Sequence, residues 1–131
     1  MSETPDHASF VDSWLARAEP EPHRVVLLLD AALHALWART ELALGELTLH
    51  AIFDRVLHTT AERFPPFGSI VMSEDGPSCE GLRSVAATMP RSELMAGVRF
   101  LLVEFLTTEE EYQQAQRNIR AMSQKLGVKI L

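Results

Sequence analysis

Apolar residues are concentrated in two long runs of this sequence. Residues 25–38, VVLLLDAALHALWA, form the more apolar run, and at 100° per residue their apolar side chains cover most of a helix circumference. We therefore predict a central helix from about residue 22 to 39 or beyond, covered on nearly every side. Thr40 and Gly45 are the two candidate turns that follow it. The polar side chains of this helix fall on one narrow line, formed by His23, Asp30, His34 and Glu41.

The second apolar run allows two interpretations. Leu94, Val98, Leu101 and Phe105 recur at helical spacing, which favours a strongly apolar helix over residues 92–106. The same stretch contains VRFLLVEFL, which is rich in strand-forming residues. In the alternative α+β fold, residues 98–106 and 128–131 form a small parallel sheet, and the helix between them is the crossover connection.

Shorter elements are predicted around the two runs. Thr4 followed by Pro5 is typical of a helix start, and the proline pair at 65–66 stops a helix. We predict helices over about 5–18, 46–64 and 78–88, with a short strand at 70–72 before a turn at 74–78.

A separate last helix is predicted after Thr107 and Thr108, because threonine caps helices and three glutamates follow in the first turn. Gly127 is the expected stop. Apolar residues in this helix are spaced three, four, three and four apart, a narrow seam that is typical of helix-to-helix packing. The seam consists of Tyr112, Ala115, Ile119, Met122 and Leu126.

These elements predict an all-α fold, a compact bundle of four to six helices that forms a single domain over residues 1–131. The net charge of −6 repels phosphate groups, which argues against binding to nucleic acid or to anionic membranes. The polar, acidic start is not a secretory signal, and residues 25–38 are too short and too polar to span a membrane. With a single cysteine, these features indicate a cytoplasmic protein.

Candidate metal ligands follow one face of the helix predicted at 46–64. His50, Asp54, His58 and Glu62 are four residues apart, and such side chains bind zinc or iron. Each step of four residues rises about 6 Å, so His50 and His58 are too far apart to share one ion unaided. A site for one ion needs two residues of this line and a ligand from elsewhere, such as His34 or Glu41. A solvated polar face is the simpler interpretation. We expect no bound metal and no cofactor.

Catalytic patterns are absent from the sequence. Cys79 lies at a predicted helix start, a position that lowers the pKa of a thiol, but no CxxC pair accompanies it. The sequence lacks the phosphate-binding GxxxxGK pattern, the GxSxG nucleophile turn, HExxH and the EF-hand loop. We therefore expect no catalytic residues, and a protein that is not an enzyme.

Two classes of function remain. The first is a non-enzymatic protein–protein interaction or regulatory module, of the signalling or adaptor kind, that forms a homodimer. Two helices that are apolar on nearly every side need more cover than the shorter helices supply, and two-fold pairing is the commonest remedy. The second is a sensor that binds a small ligand or a metal through the polar lines at His34 and His50. The residues expected to carry the interaction in the first class are Tyr112, Ile119, Met122 and Leu126.

Overall fold

Five α-helices, a short 3-10 helix and a two-stranded hairpin make up the part of the protein that the computed structural model describes, residues 6–16, 22–73 and 76–127. This architecture confirms the predicted helical bundle. The α-helices are α1 His7–Ala16, α2 Pro22–Leu44, α3 Glu46–Arg63, α4 Glu80–Ala86 and α5 Arg91–Leu126. Between α3 and α4 lie the 3-10 helix Pro65–Ser69 and the strands β1 Val71–Ser73 and β2 Gly76–Ser78.

α5 is one continuous helix of 36 residues where the sequence predicts two. The break expected at Thr107 and Thr108 is wrong, because a threonine inside a helix costs less than about 0.7 kcal/mol and removes no backbone hydrogen bond. The helix ends at Gly127, as predicted, with a left-handed backbone at φ 68°. Residues 98–106 lie inside α5, so the alternative that makes them a strand is also wrong. Residues 128–131, its second strand, lie outside the described residues.

α2 and α3 meet at a single residue, Gly45. α2 runs through Thr40 without a break, and Gly45 has a positive φ of 84°, which its missing side chain permits. The Gly45 N–H donates to the Glu41 carbonyl, and the Gly45 carbonyl accepts from the Leu49 N–H. The chain therefore changes direction at Gly45 while this residue still closes the last turn of α2 and the first turn of α3.

The predicted turn at 74–78 is part of a small hairpin. β1 and β2 pair antiparallel, with Val71 opposite Ser78, so the end of the predicted turn is a strand. The Ser73 hydroxyl donates to the Gly76 carbonyl over 2.7 Å and closes the ladder. Residues 74–75 lie outside the description, as do residues 17–20, where the end of the first predicted helix falls.

The first half of α5 packs against α1, α2 and α3. Phe53 of α3 meets Phe105 edge to face with ring centroids 5.6 Å apart, and it meets Trp37 of α2 in the same way at 5.8 Å. Phe64, at the end of α3, contacts Phe100, so α3 runs antiparallel to α5. The core these contacts belong to buries Leu29, Phe53, Val56, Leu101 and Phe105 and leaves Leu28, Leu36 and Leu57 half-buried at its edge.

α2 is covered on one side only, so the prediction of nearly complete cover is wrong. Its inner face carries the buried residues Val25, Val26, Leu29, Leu33 and Trp37. Its outer face is exposed and includes Leu27, Leu42 and the three alanines Ala31, Ala35 and Ala38. Alanine places little apolar area in water, and therefore this face needs less cover than its hydropathy indicates. None of the helices in the described ranges is both long enough and apolar enough to cross a membrane.

Candidate interaction surface

The second half of α5 leaves the core. Glu109 is its last buried residue, and every described residue after it is exposed or half-buried. At 1.5 Å per residue, the segment 110–126, which we call the α5 tail, extends about 25 Å past Glu109. The four residues predicted to carry an interaction lie on this tail, with exposed fractions of 40% for Tyr112, 48% for Ile119, 58% for Met122 and 69% for Leu126.

The seam of the α5 tail continues the face that α5 turns toward the core. Leu94, Val98, Leu101 and Phe105 are buried and spaced four, three and four apart. Tyr112 follows Phe105 by seven residues, two helical turns, so the seam stays on the same side of the helix. Since α3 runs antiparallel to α5, it begins near the level of Tyr112. The seam is therefore a core-type face that continues past the helix covering it.

Two leucines at the corner between α2 and α3 are also exposed. Leu42 is 91% exposed and Leu47 is 87% exposed, on either side of Gly45. Because Phe53 lies opposite Phe105, the first turn of α3 lies at the level where the seam begins. Exposed apolar side chains thus gather at this end of the bundle. Their exposure could not be predicted from the sequence, since nothing in the spacing of these leucines separates them from core residues.

Charge changes sign where the seam begins. Residues 1–111 hold all 18 acidic side chains and 8 of the 12 basic ones, a net charge of −10. Residues 112–131 hold four basic side chains and no acidic one, a net charge of +4. The three glutamates at 109–111 directly precede the seam, and the basic residues along the tail are Arg117, Arg120 and Lys125.

The glutamate run also ties α1 to α5. His7 Nε2 lies 2.6 Å from Glu110 Oε2, and one turn or more further along α1 the Asp12 carboxylate accepts a hydrogen bond from Arg99 Nε over 2.7 Å. A shallow cleft of about 460 Å³ opens beside His7 and Glu110. An apolar groove of about 180 Å³ lies between α1, α2 and α5, with Phe10 at its edge. Both contacts lie before the seam, so α1 leaves the seam uncovered.

The polar line on α2 contacts the segment that leads into α4. Asp30 Oδ1 accepts a hydrogen bond from the Cys79 backbone N–H over 3.1 Å, and Asp30 Oδ2 lies 3.4 Å from His34 Nδ1. Glu41 is exposed, and the side chain of His23 lies outside the described residues. Asp30 therefore uses both oxygens within the fold and holds His34 along its own helix.

Cys79 is buried, and its environment is the reverse of the reactive site that its position suggests. Burial, together with the neighbouring carboxylate of Asp30, raises the pKa of the Cys79 thiol from 9.0 to about 12. The thiol is therefore protonated at neutral pH and is a poor nucleophile. The sequence could not show this, because Asp30 precedes Cys79 by 49 residues.

The metal candidates on α3 do not converge on one point. His58 Nε2 lies 3.0 Å from Glu62 Oε1, on an exposed stretch of the helix. His50 packs edge-on against Trp37 with ring centroids 5.1 Å apart, and Asp54 is exposed. Within the described ranges, no three His, Cys, Asp or Glu side chains are grouped so that they could hold a metal ion. The polar lines at His34 and His50 thus have separate local partners.

Comparison with known proteins adds no relative, since no family model, no curated protein and no solved structure matches the chain. The α5 tail offers apolar contact area along a straight line, with opposite charges at its two ends.

Proposed function

We propose that this protein is a non-enzymatic interaction module that forms a homodimer through the seam of the α5 tail. The observation that carries the proposal is the exposure of four large apolar side chains on one side of a helix that has left the core. Proteins in water keep connected apolar surface small unless it is used for binding. A second helix laid along the seam removes these side chains from water.

The width of the seam favours a helix as its partner. Gln113, Gln116 and Asn118 border the apolar line, so the apolar positions recur only as the first and fourth residues of a seven-residue repeat. A helix that lies on a membrane presents a broader apolar face to the lipid. A second copy of the chain carries an identical narrow seam, and the two seams can meet in a symmetric, self-complementary interface.

A homodimer of this kind places two acidic bodies on one helical connection, an arrangement that suits a regulatory or adaptor role in signalling. Each body carries a net charge of −10 over residues 1–111, which repels nucleic acid and anionic lipid. The buried, protonated Cys79 fits a reducing, cytoplasmic compartment, where a protein gains nothing from disulfides.

Sedimentation equilibrium of the purified chain tests the proposal. We expect twice the chain mass of 14.6 kDa for the unmodified protein, and a shift to 14.6 kDa when Ile119→Glu and Met122→Glu are combined. Val71→Glu is the matched control, because Val71 is 58% exposed like Met122 but lies in the hairpin, and this variant stays dimeric.

Two results would reject the proposal. One is a mass of 14.6 kDa for the unmodified chain at the highest concentration that can be reached. The other is a dimer that survives the double substitution, since its interface would then lie elsewhere. Circular dichroism of each variant shows that the helices are intact, so a lost dimer is not an unfolded protein.

A further inference from the structure

We infer that the two α5 tails pair antiparallel, with the two-fold axis close to Asn118, an arrangement that rests on the proposed self-association through the seam. The seam of each copy then contacts the seam of the second copy with the order of its residues reversed. Four features support this orientation: the charges along the tail, the spacing of the apolar residues, the edge residues beside the seam and the position of the acidic bodies.

The charges along the tail oppose a parallel pair. In a parallel pair, the ends that carry Arg117, Arg120 and Lys125 lie at the same level, and so do the glutamates at 109–111. Segments of like charge then run alongside each other and repel. Reversing one helix brings the basic end of each tail to the acidic beginning of the other. The order of charges along one helix is thus complementary to itself only when the second copy is antiparallel.

The apolar spacing is nearly symmetric about the same point. With the axis at Asn118, Tyr112 of one copy packs between Met122 and Leu126 of the second copy. Ala115 then lies beside Ile119 and Met122 of that copy, so the smallest residue of the seam faces two of the larger ones. Each side chain enters a gap between two side chains of the facing helix, as packing between paired helices requires.

One edge of the seam carries three residues that are seven positions apart, Glu111, Asn118 and Lys125. Asn118 is the midpoint, so an antiparallel pair centred there sets Glu111 opposite Lys125 of the second copy, twice by symmetry. The two asparagine side chains meet at the axis, where their amides can donate to and accept from each other. A parallel pair leaves Glu111 facing Gln116 and forms neither ion pair.

The acidic bodies, residues 1–111 of each copy, also favour the antiparallel arrangement. Parallel tails hold two bodies of net charge −10 side by side, whereas antiparallel tails hold them at opposite ends of the connection. The end of each tail, with Leu126, then approaches the other copy near Tyr112. The exposed leucines of the α2–α3 corner, Leu42 and Leu47, lie at that level and gain cover.

Charge reversal on the edge residues tests the orientation. We expect Glu111→Lys to weaken the dimer about tenfold, because two attractive pairs become repulsive, and Lys125→Glu to do the same. Combining the two substitutions exchanges the charges and restores the dimer to within about twofold. Arg120→Glu makes the same change of charge on the outward side of the tail. If it weakens the dimer as much as Lys125→Glu does, the edge pairing is wrong.

Chemical cross-linking supplies a second measurement. In the antiparallel pair, residues at 118 meet across the axis, whereas residues at 126 lie about 24 Å apart. A short bismaleimide should therefore link Asn118→Cys into a covalent dimer and leave Leu126→Cys unlinked. The native Cys79 is buried and adds no background.

The outcomes separate the orientation from the self-association itself. A dimer that cross-links at Leu126→Cys and not at Asn118→Cys is parallel, which overturns this inference and leaves the proposed function standing. An unmodified chain that remains monomeric overturns both. A monomer that sediments with phosphatidylserine vesicles would assign the seam to an anionic membrane, and this result also rejects both proposals.

Discussion

The ring of Phe67 fills the space that a side chain on Gly97 would need. A Cβ built on Gly97 would lie 2.3 Å from Cε1 and 2.5 Å from Cζ of that ring, well inside van der Waals contact. Both residues are fully buried, so the ring has little room to move. This contact fixes the 3-10 helix against the first half of α5, and the absence of a side chain at position 97 makes it possible.

Gly97→Ala should therefore destabilise the protein, although alanine is the better helix former. We expect the free energy of unfolding in urea to fall by about 1–3 kcal/mol, the usual cost of overpacking a core. Gly68→Ala is the matched control, because a Cβ there meets only Ala61 Cβ at an ordinary 3.6 Å. Equal stability of the two variants would contradict the tight packing at Gly97.

Phe53→Ala removes the central ring of the aromatic contacts that join α2, α3 and α5. The variant loses the edge-to-face contacts with Trp37 and Phe105 and leaves a cavity, so we expect a loss of about 3–5 kcal/mol in unfolding free energy. Leu27→Ala, on the exposed face of α2, should cost less than about 1 kcal/mol. Near-native stability of Phe53→Ala would show that these three helices are not joined through this ring.

Thr40 and Thr60 provide a matched pair of buried hydroxyl groups. Both residues are fully buried, but Thr60 Oγ1 donates to the Val56 carbonyl over 2.8 Å, whereas Thr40 Oγ1 has no hydrogen-bond partner among the described residues. Thr40→Val should therefore raise the unfolding free energy by about 1 kcal/mol, because a buried polar group without a partner is costly. Thr60→Val should lower it by about 0.5–1.5 kcal/mol. Melting temperatures that shift in the same direction in both variants would contradict the stated difference between the two hydroxyl groups.

Cys79 should resist thiol reagents in the folded protein. With a thiol pKa of about 12, almost no thiolate forms at pH 8, and we expect Ellman's reagent to label Cys79 only after unfolding in urea. Rapid labelling of the native chain would show that the thiol is accessible.

The same shift makes stability depend on pH in the alkaline range. Between pH 9 and 12 the unfolded chain releases the Cys79 proton while the folded chain retains it, so stability is unaffected below pH 9 and falls as the pH rises toward 12. Unfolding curves of the unmodified chain and of Cys79→Ala measure the effect. Their difference in stability should change with pH in this window, and a constant difference would contradict the raised pKa.

Local patterns in the sequence were sufficient to predict much of the helical framework. The proline pair at 65–66 and Gly127 end their helices, and α3 was predicted as 46–64 and found at Glu46–Arg63. These signals act through the backbone of the residues that carry them. The helix start predicted at Thr107 and Thr108 was wrong because threonine can cap a helix, but packing against the rest of the protein decides whether it does. The seven-residue repeat that stays in phase from Phe105 to Tyr112 was the available sign of one continuous helix.

The exposure of the seam and the protonation state of Cys79 could not be predicted, since both depend on residues that are distant in the sequence. The spacing of Ile119 and Met122 shows that they share a side of the helix, but it does not show where α3 begins. The thiol of Cys79 is controlled by burial and by Asp30, which the fold brings to it. The outer face of α2 was expected to be covered because alanine counts as apolar, although Ala31 and Ala35 tolerate water.

The continuity of α5 changes the thermodynamics of its exposed end. A free peptide must form a first helical turn before the helix can extend, and this nucleation step lowers the equilibrium constant for helix formation by a factor of about 10⁻³. In this protein the buried half of α5 is already helical and provides the nucleus. The tail therefore only extends an existing helix, and it gains one hydrogen bond for each residue that becomes ordered. Ile119 and Met122 are therefore presented on a helix that exists before any encounter. Association need not carry the ordering cost of a segment that folds only when it binds.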